Sequence, residues 1–188
     1  MIRKNKFFKM SERNFGIKYG SVLGLILTIF FWVIGPEKQV PMLLEEEPSF
    51  IDLYLDNIIL IGFLIYILIF FRDKFLGGFI TYVKSLKLGV IISFFSALIL
   101  SLNIFVYSNT FNPDVIPNDK KISEMIKLSN PNMNDSEINK QLKIANKMLT
   151  PNGLLLQNLI GYTFSAFFYL LIISFFIKKT NPNKILNT

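Results

Sequence analysis

The chain has 188 residues, 52% of them hydrophobic, and a formal net charge of +7 at pH 7. It contains no cysteine and no histidine, which excludes disulfides, thiolate nucleophiles, haem ligation and nearly all zinc chemistry. The length suits one domain over residues 1–188. The basic residues lie beside long apolar runs, and this position indicates contact with lipid headgroups and not with nucleic acid.

Four long apolar runs divide the sequence, and they predict helices at about 15–35, 49–71, 86–108 and 154–178. About 20 apolar residues in a helix cross the hydrocarbon layer of a bilayer. The predicted fold class is therefore all-α, an integral membrane four-helix bundle whose partner is the lipid bilayer. The external loop, 109–153, is predicted to form a small extracytoplasmic helical hairpin between helices three and four.

The charges between these runs predict the orientation of the bundle. Residues 1–18, 72–87 and 178–188 hold 13 of the 20 Lys and Arg but only two of the 13 acids. An excess of Lys and Arg marks cytoplasmic segments. We therefore expect a multi-pass protein of the bacterial cytoplasmic membrane, with both termini in the cytoplasm. No small-x-small cleavage site follows Trp32, so we expect the first helix to be retained.

Two stripes of small residues predict how the helices pack. Members of each stripe recur at four-residue spacing and so share a helix face. Small side chains let two membrane helices approach closely, and we expect helices one and three to touch through these faces. The alternative is that glycine is simply frequent in membrane helices. The first stripe is Gly16, Gly20, Gly24 and Thr28, and the second is Gly89, Ser93, Ala97 and Ser101.

The first connection carries three consecutive acids, Glu45, Glu46 and Glu47, which either bind a divalent cation or are simply solvated. The solvated interpretation is favoured, and we expect no cofactor and no metal. Ser49 and Asp52 match a capping box that starts the second helix. That start places Asp56 one turn further on, at the outer, wet end of the helix.

The second connection contains a charged and glycine-rich motif before the third helix. Gly77-Gly78 breaks the helix, and Phe79, Val83 and Leu86 then fall on one helical face. This segment either lies in the inner membrane interface or acts as a short hook that orients helix three. The motif residues are Arg72, Asp73, Lys74, Gly77, Gly78 and Tyr82.

The third connection is the only substantial water-exposed part of the sequence. Two short amphipathic helices are predicted there, separated by Asn130-Pro131-Asn132. Asn134 and Glu137 match the capping box of the second one. We expect the apolar faces to cover the outer ends of the bundle or to meet a partner. These faces carry Ile122, Met125 and Ile126, and then Ile138, Leu142, Ala145 and Leu149.

Polar residues within the apolar runs are few, and Asn103, Gln157 and Asn158 are predicted to lie at one outer level. An interhelical hydrogen bond there would set the register of the helices, whereas a transporter would use such groups to line a path. Tyr66, Tyr162 and Tyr169 are interpreted as packing or interfacial residues. No acid lies inside an apolar run, and we do not expect an enzyme.

Four short motifs stand out along the chain: Lys18-Tyr19-Gly20-x3-Gly24, Arg72-Asp73-Lys74-x2-Gly77-Gly78-x-Ile80-x-Tyr82, Lys87-x-Gly89 and Asn112-Pro113-Asp114. Together they resemble a known family, the bacterial membrane proteins catalogued as domain of unknown function 4199. The likeness runs from about Phe15 to Lys179 and implies a four-helix inner-membrane protein without an assigned activity. It therefore transfers no catalytic residue.

The sequence favours a non-catalytic membrane module that binds a protein partner or supports assembly, as a homo-oligomer or with another chain. The absence of obvious catalytic groups and the amphipathic outer loop motivate this hypothesis. The alternative is a small transporter or channel subunit with a polar path that meets Asn103 and Gln157.

Overall fold

The computed structural model describes residues 10–34, 50–113, 116 and 118–180, without the side chains of residues 50–53. The acidic run Glu45–Glu47, the predicted capping residue Ser49 and the side chain of Asp52 lie outside this description, as do half of the N-terminal tail and most of the C-terminal tail. The described residues form six α-helices and no strand. They are α1 (Glu12–Ile34), α2 (Phe50–Phe75), α3 (Tyr82–Val106), α4 (Asp119–Ser129), α5 (Asp135–Met148) and α6 (Pro151–Ile177).

The helices begin at polar caps, and this accounts for bounds that differ from the predicted ones. The α3 helix starts at Tyr82, before residue 86, because the Thr81 side chain accepts a hydrogen bond from the Lys84 backbone N–H. The α6 helix likewise starts at Pro151, after the cap Thr150. In α2 the charged residues that follow residue 71 remain helical as far as Phe75.

The α3 helix is the centre of the bundle. It packs closely along its length against α1 and against α6, while α2 makes fewer contacts with all three. This position explains the polar composition of α3, because the side chains of Ser85, Ser93, Ser96 and Ser101 are all buried. Small polar side chains are well suited to a helix that has close neighbours on more than one side.

The bundle has an apolar core and also an apolar outer surface. The α2 residues Leu60, Leu64 and Leu68 are fully buried, whereas Ile160 and Phe176 of α6 are 64% and 79% exposed. Four helices are long and apolar enough to cross a membrane, and the exposed apolar side chains suit contact with lipid. The predicted membrane helical bundle is confirmed.

One end of the bundle carries the helical hairpin of α4 and α5. The α3 helix continues there as a π-helical turn, Tyr107–Phe111, and the apolar residues Ile122 and Leu149 join the hairpin to the core of the bundle. The predicted capping box of Asn134 and Glu137 is present at the start of α5. We call this the hairpin end, and the opposite end, where Arg72, Lys84 and Lys179 lie, the basic end.

Candidate functional site

The motif of the second connection forms a compact turn at the basic end. Gly77 and Gly78 have φ angles of +64° and +89°, the left-handed region that glycine adopts without strain. The turn is closed by a hydrogen bond of 2.9 Å from the Gly78 N–H to the Arg72 carbonyl oxygen. The two glycines therefore lie just beyond the end of α2, where the chain turns toward α3.

Arg72 joins the end of α2 to the end of α6. Its Nε donates a hydrogen bond of 2.7 Å to Asp73 Oδ1, and its Nη2 donates one of 3.3 Å to Asp73 Oδ2. Its Nη1 donates to the carbonyl oxygen of Ile177, the last residue of α6, at 3.3 Å. The carbonyl end of a helix is its negative pole, so the guanidinium both satisfies an unpaired acceptor and lies where a cation is favoured.

Three further contacts tie the other helix ends to this turn. Ile80 and Lys179 pair as an antiparallel β-bridge with backbone hydrogen bonds of 3.0 and 2.9 Å. The Lys84 Nζ lies 2.8 Å from Glu12 Oε1, which links the first turns of α3 and α1. Lys74 and Tyr82 of the motif are exposed and half-buried respectively. The basic end therefore joins α1, α2, α3 and α6 through side chains and backbone together.

The small-residue stripes lie on different contacts. Gly16, Gly20 and Gly24 of α1 face α3, and a Cβ atom built on Gly20 would lie 2.6 Å from the Ile92 carbonyl oxygen. Gly89 does not face α1, because the side chain of Leu170 in α6 occupies the space beside it. The expected contact of helices one and three is present, but Gly89 contributes to the contact of α3 with α6.

The other members of the two stripes are largely inside the bundle. Ala97 is fully buried, and the hydroxyl oxygens of Thr28, Ser93 and Ser101 are buried without a hydrogen-bond partner among the described residues.

The three polar residues predicted at one outer level have separate surroundings. Asn103 Oδ1 accepts a hydrogen bond of 3.0 Å from Trp32 Nε1, which joins α3 to α1. Asn158 Nδ2 donates to the Leu154 carbonyl oxygen of its own helix, and Gln157 is exposed. These residues do not form the polar path that the transporter hypothesis required of Asn103 and Gln157.

A different polar group, Asp56, which the sequence analysis placed at the wet end of helix two, is half-buried in the bundle. Asp56 belongs to the membrane-length part of α2, and its Oδ1 is buried without a hydrogen-bond partner among the described residues. The Tyr162 hydroxyl of α6 is also buried without a hydrogen-bond partner among the described residues, and it interacts electrostatically with the Asp56 carboxylate. Next to Asp56, Asn57 Oδ1 accepts a hydrogen bond of 3.2 Å from the Tyr169 hydroxyl.

The depth of this group follows from the contacts at the basic end. Arg72 is bonded to Ile177 and so marks a common level of α2 and α6. At about 1.5 Å per residue, Asp56 lies about 24 Å from that level along α2, and Tyr162 about 22 Å along α6. Both distances fall within the roughly 30 Å of hydrocarbon in a bilayer. Helical phase could not have revealed this pair, because the spacing of residues along α2 does not show which neighbouring helix covers each of its faces.

The hairpin end presents an apolar groove outside the membrane-length helices. The groove has a volume of about 320 Å³ and lies between α4 and α5. Every side chain that lines it is uncharged, although α4 and α5 themselves carry both lysines and acids. The lining consists of Ile122, Met125, Ile126, Ser129, Asn130, Met133, Gln141, Ala145 and Leu149.

The described residues contain no group of three or more acids arranged to hold a metal ion. The ionisable side chains at the basic end are instead mostly cationic.

A family model described as "Protein of unknown function (DUF4199)" matches residues 18–179. The matched range contains nearly all of the four membrane-length helices, the hairpin and the basic-end turn, and the family resemblance predicted from the sequence motifs is confirmed. No curated protein and no solved structure matches the chain.

Proposed function

The chain belongs to the DUF4199 family, whose description assigns no activity, and we propose that it is a non-catalytic membrane module that binds a protein partner through its hairpin. In this proposal the protein lies in a bacterial inner membrane with the basic end in the cytoplasm and the hairpin outside. The cationic side chains Arg72, Lys84 and Lys179 support this orientation, because cytoplasmic segments are enriched in Lys and Arg.

The observation that carries the proposal is the uncharged groove of the hairpin. It lies outside the membrane-length helices, so lipid chains do not explain its apolar lining. On the same two helices Leu128, Ile144 and Met148 are 81%, 47% and 51% exposed. Exposed apolar surface outside the membrane marks an interaction site, and the methionine side chains of the groove adapt well to a partner.

The proposed occupant is an uncharged, apolar segment of another membrane protein's external part. A charged segment would place its charge against lining side chains that offer only amide and hydroxyl groups to it, chiefly Ser129, Asn130 and Gln141. An apolar helix or extended segment would instead bury its side chains on the isoleucines and methionines of the groove, as in other complexes of a helix with a groove.

In-cell photocrosslinking tests this proposal. A photoreactive residue at Gln141, in the groove, is expected to give one adduct of defined mass, which mass spectrometry identifies as one membrane protein. The matched control is the same residue at Asn139, which is exposed on α5 but does not line the groove. Ala145→Lys should abolish the adduct, because it places a charge in the apolar groove.

Three outcomes would contradict the proposal. An adduct of twice the mass of the chain would indicate a homo-oligomer and not a second protein. Equal adducts at Gln141 and Asn139 would show that labelling does not depend on the groove. No adduct, or one that survives Ala145→Lys, would remove the groove as the binding surface.

A small transporter or channel subunit is the second candidate function, and the buried Asp56 favours it. Ionisable groups at membrane depth are expensive and commonly serve transport. The Asp56 carboxylate and the Tyr162 hydroxyl, on facing helices, both have buried oxygens without a partner among the described residues. Exchange of Asp56 for Asn tests this candidate, because a transporter that uses the carboxylate would lose its flux.

A further inference from the structure

A cavity of about 290 Å³ opens at the basic end, between the α2–α3 turn and the residues that follow α6. We call it the basic-end cavity. One part of its lining is apolar and the other carries two lysines and two threonines. The lining residues are Leu76, Phe79, Ile80, Thr81, Lys84, Lys179 and Thr180.

The polar groups of the cavity suit a phosphate. Lys84 and Lys179 supply positive charge, and both belong to a bundle end at which Asp73 is already held by Arg72. The Thr81 oxygen accepts a hydrogen bond from the Lys84 N–H, so its hydroxyl hydrogen remains available to a phosphate oxygen. The cavity also lies at the first turn of α3, the positive end of that helix.

One carboxylate competes for this site. Glu12 Oε1 lies 2.8 Å from Lys84 Nζ, but both side chains are more than one third exposed. Exposed ion pairs of this kind contribute little to stability. An anionic non-bridging oxygen of a phosphate can therefore compete with Glu12 for Lys84. The Lys179 bridge to Ile80 uses backbone atoms only, and its ammonium lies 5.9 Å from the centroid of the Phe79 ring and interacts electrostatically with Asp73, which Arg72 already binds.

The surroundings of the cavity favour a lipid over a free anion. The cavity lies where α2 ends and α3 begins, at the boundary of two membrane-length helices. Further along the same α3–α6 pair is an apolar groove of about 400 Å³ whose lining includes Val90, Phe94, Ile160 and Phe164. Val90 lies about 9 Å along α3 from Lys84, a separation that suits an acyl chain below a headgroup.

From these features we propose that the basic-end cavity binds the phosphate of an anionic phospholipid through Lys84 and Lys179. The site is independent of the hairpin groove. The ligand of this site is a lipid of the membrane leaflet in which the basic end lies.

Lipid binding by the full chain in a neutral detergent tests the proposal. Phosphatidylglycerol and phosphatidylcholine with identical acyl chains are titrated, and the apparent Kd is read from thermal shift and from retained lipid in native mass spectrometry. Phosphatidylglycerol should bind more tightly. Lys84→Gln and Lys179→Gln should each weaken its binding about fivefold, the effect typical of one lysine at an anionic surface.

Two further variants separate a lost site from a lost fold. Glu12→Gln should tighten phosphatidylglycerol binding, because it frees Lys84 from its ion pair. Lys140→Gln makes the same charge change as the cavity variants on an exposed part of α5 and should leave the apparent Kd unchanged. An effect of opposite sign at Glu12 cannot arise from unfolding.

Other results would overturn the proposal. Equal affinity for the two lipids, or a preference that persists in both lysine variants, would remove the cavity as the lipid site. Inorganic phosphate is added in a separate titration as a competitor. If millimolar phosphate alone reproduced the thermal shift and eliminated the preference for phosphatidylglycerol, the ligand would be a free phosphate and the lipid assignment would be wrong.

Discussion

At the scale of single residues, Asp56 departs most from what its sequence neighbourhood suggests. The sequence places it beside solvated acids, but the fold turns it toward α6 and buries its Oδ1. The pattern of apolar residues locates a helix and cannot show which neighbour covers each of its faces. A polar side chain at the edge of an apolar run was therefore the hardest position to predict.

Exchange of Asp56 for Asn is expected to raise stability. A buried acceptor without a hydrogen-bond partner costs about 1–3 kcal/mol, and more if it is charged. The neutral amide removes the charge and adds two donors that can reach Tyr162 or a backbone oxygen. Asp56→Asn should therefore raise Tm in mild detergent. Asp135→Asn, the same change on an exposed side chain, should leave Tm nearly unchanged.

The same variant decides the transport hypothesis. If the protein moves protons or other cations, proteoliposomes of the natural chain should show flux above that of empty vesicles, and Asp56→Asn should abolish it. Flux equal to that of empty vesicles would count against a transporter. A lower Tm for Asp56→Asn would show that the carboxylate is stabilised in the fold, contrary to our expectation.

At the scale of helices, four-residue spacing was a reliable guide to one contact and a misleading guide to another. The glycines of α1 do lie against α3. Leu88 lies against Gly16 of α1. Gly89, the next residue, is rotated about 100° from Leu88 around the axis of α3 and therefore faces α6. Spacing identifies residues on a shared face, but it cannot distinguish between two neighbours of a central helix.

Gly20→Ala is expected to weaken the α1–α3 contact. The new Cβ would meet the Ile92 carbonyl oxygen at 2.6 Å, and a backbone atom can move away only if the whole helix moves. Overpacking of this kind costs about 1–3 kcal/mol. The measurement is Tm, or the midpoint of unfolding by a denaturing detergent, with the helices intact by circular dichroism.

The matched control for Gly20 is Gly161→Ala in α6. No atom of the described residues lies within 4 Å of a Cβ built at that position, so stability should be unchanged or slightly higher, since alanine favours the helix. If Gly20→Ala and Gly161→Ala had the same Tm, α1 and α3 would be further apart than the structure shows.

At the scale of the whole molecule, the sequence was sufficient for the architecture. Long apolar runs predicted four membrane helices because the bilayer imposes a minimum helix length, and the amphipathic pattern of the third connection predicted the hairpin. The contacts at the basic end could not be predicted from the sequence. Arg72 meets the carbonyl of Ile177 105 residues further along the chain, and no local pattern of a sequence encodes such a pairing.

The orientation of the molecule can be tested by cysteine labelling, because the natural chain contains no cysteine and gives no background. Ser136 at the hairpin end and Thr81 at the basic end are both exposed. A reagent that cannot cross the membrane should label Ser136→Cys in intact cells and Thr81→Cys only after the membrane is opened. The reverse pattern would invert the proposed topology.

The bonds that close the basic end also impose an order on biosynthesis. Arg72 and Ile80 leave the ribosome long before Ile177 and Lys179, the residues with which they pair. At about 5–20 residues per second, the interval is roughly 5–20 s. During that time the basic end lacks its contacts with α6: the Arg72 guanidinium is bonded to Asp73 alone, and the backbone of Ile80 has no bridge partner. A chain that stalls or terminates within α6 would keep the Ile80 backbone groups and one Arg72 N–H donor without their partners at the basic end.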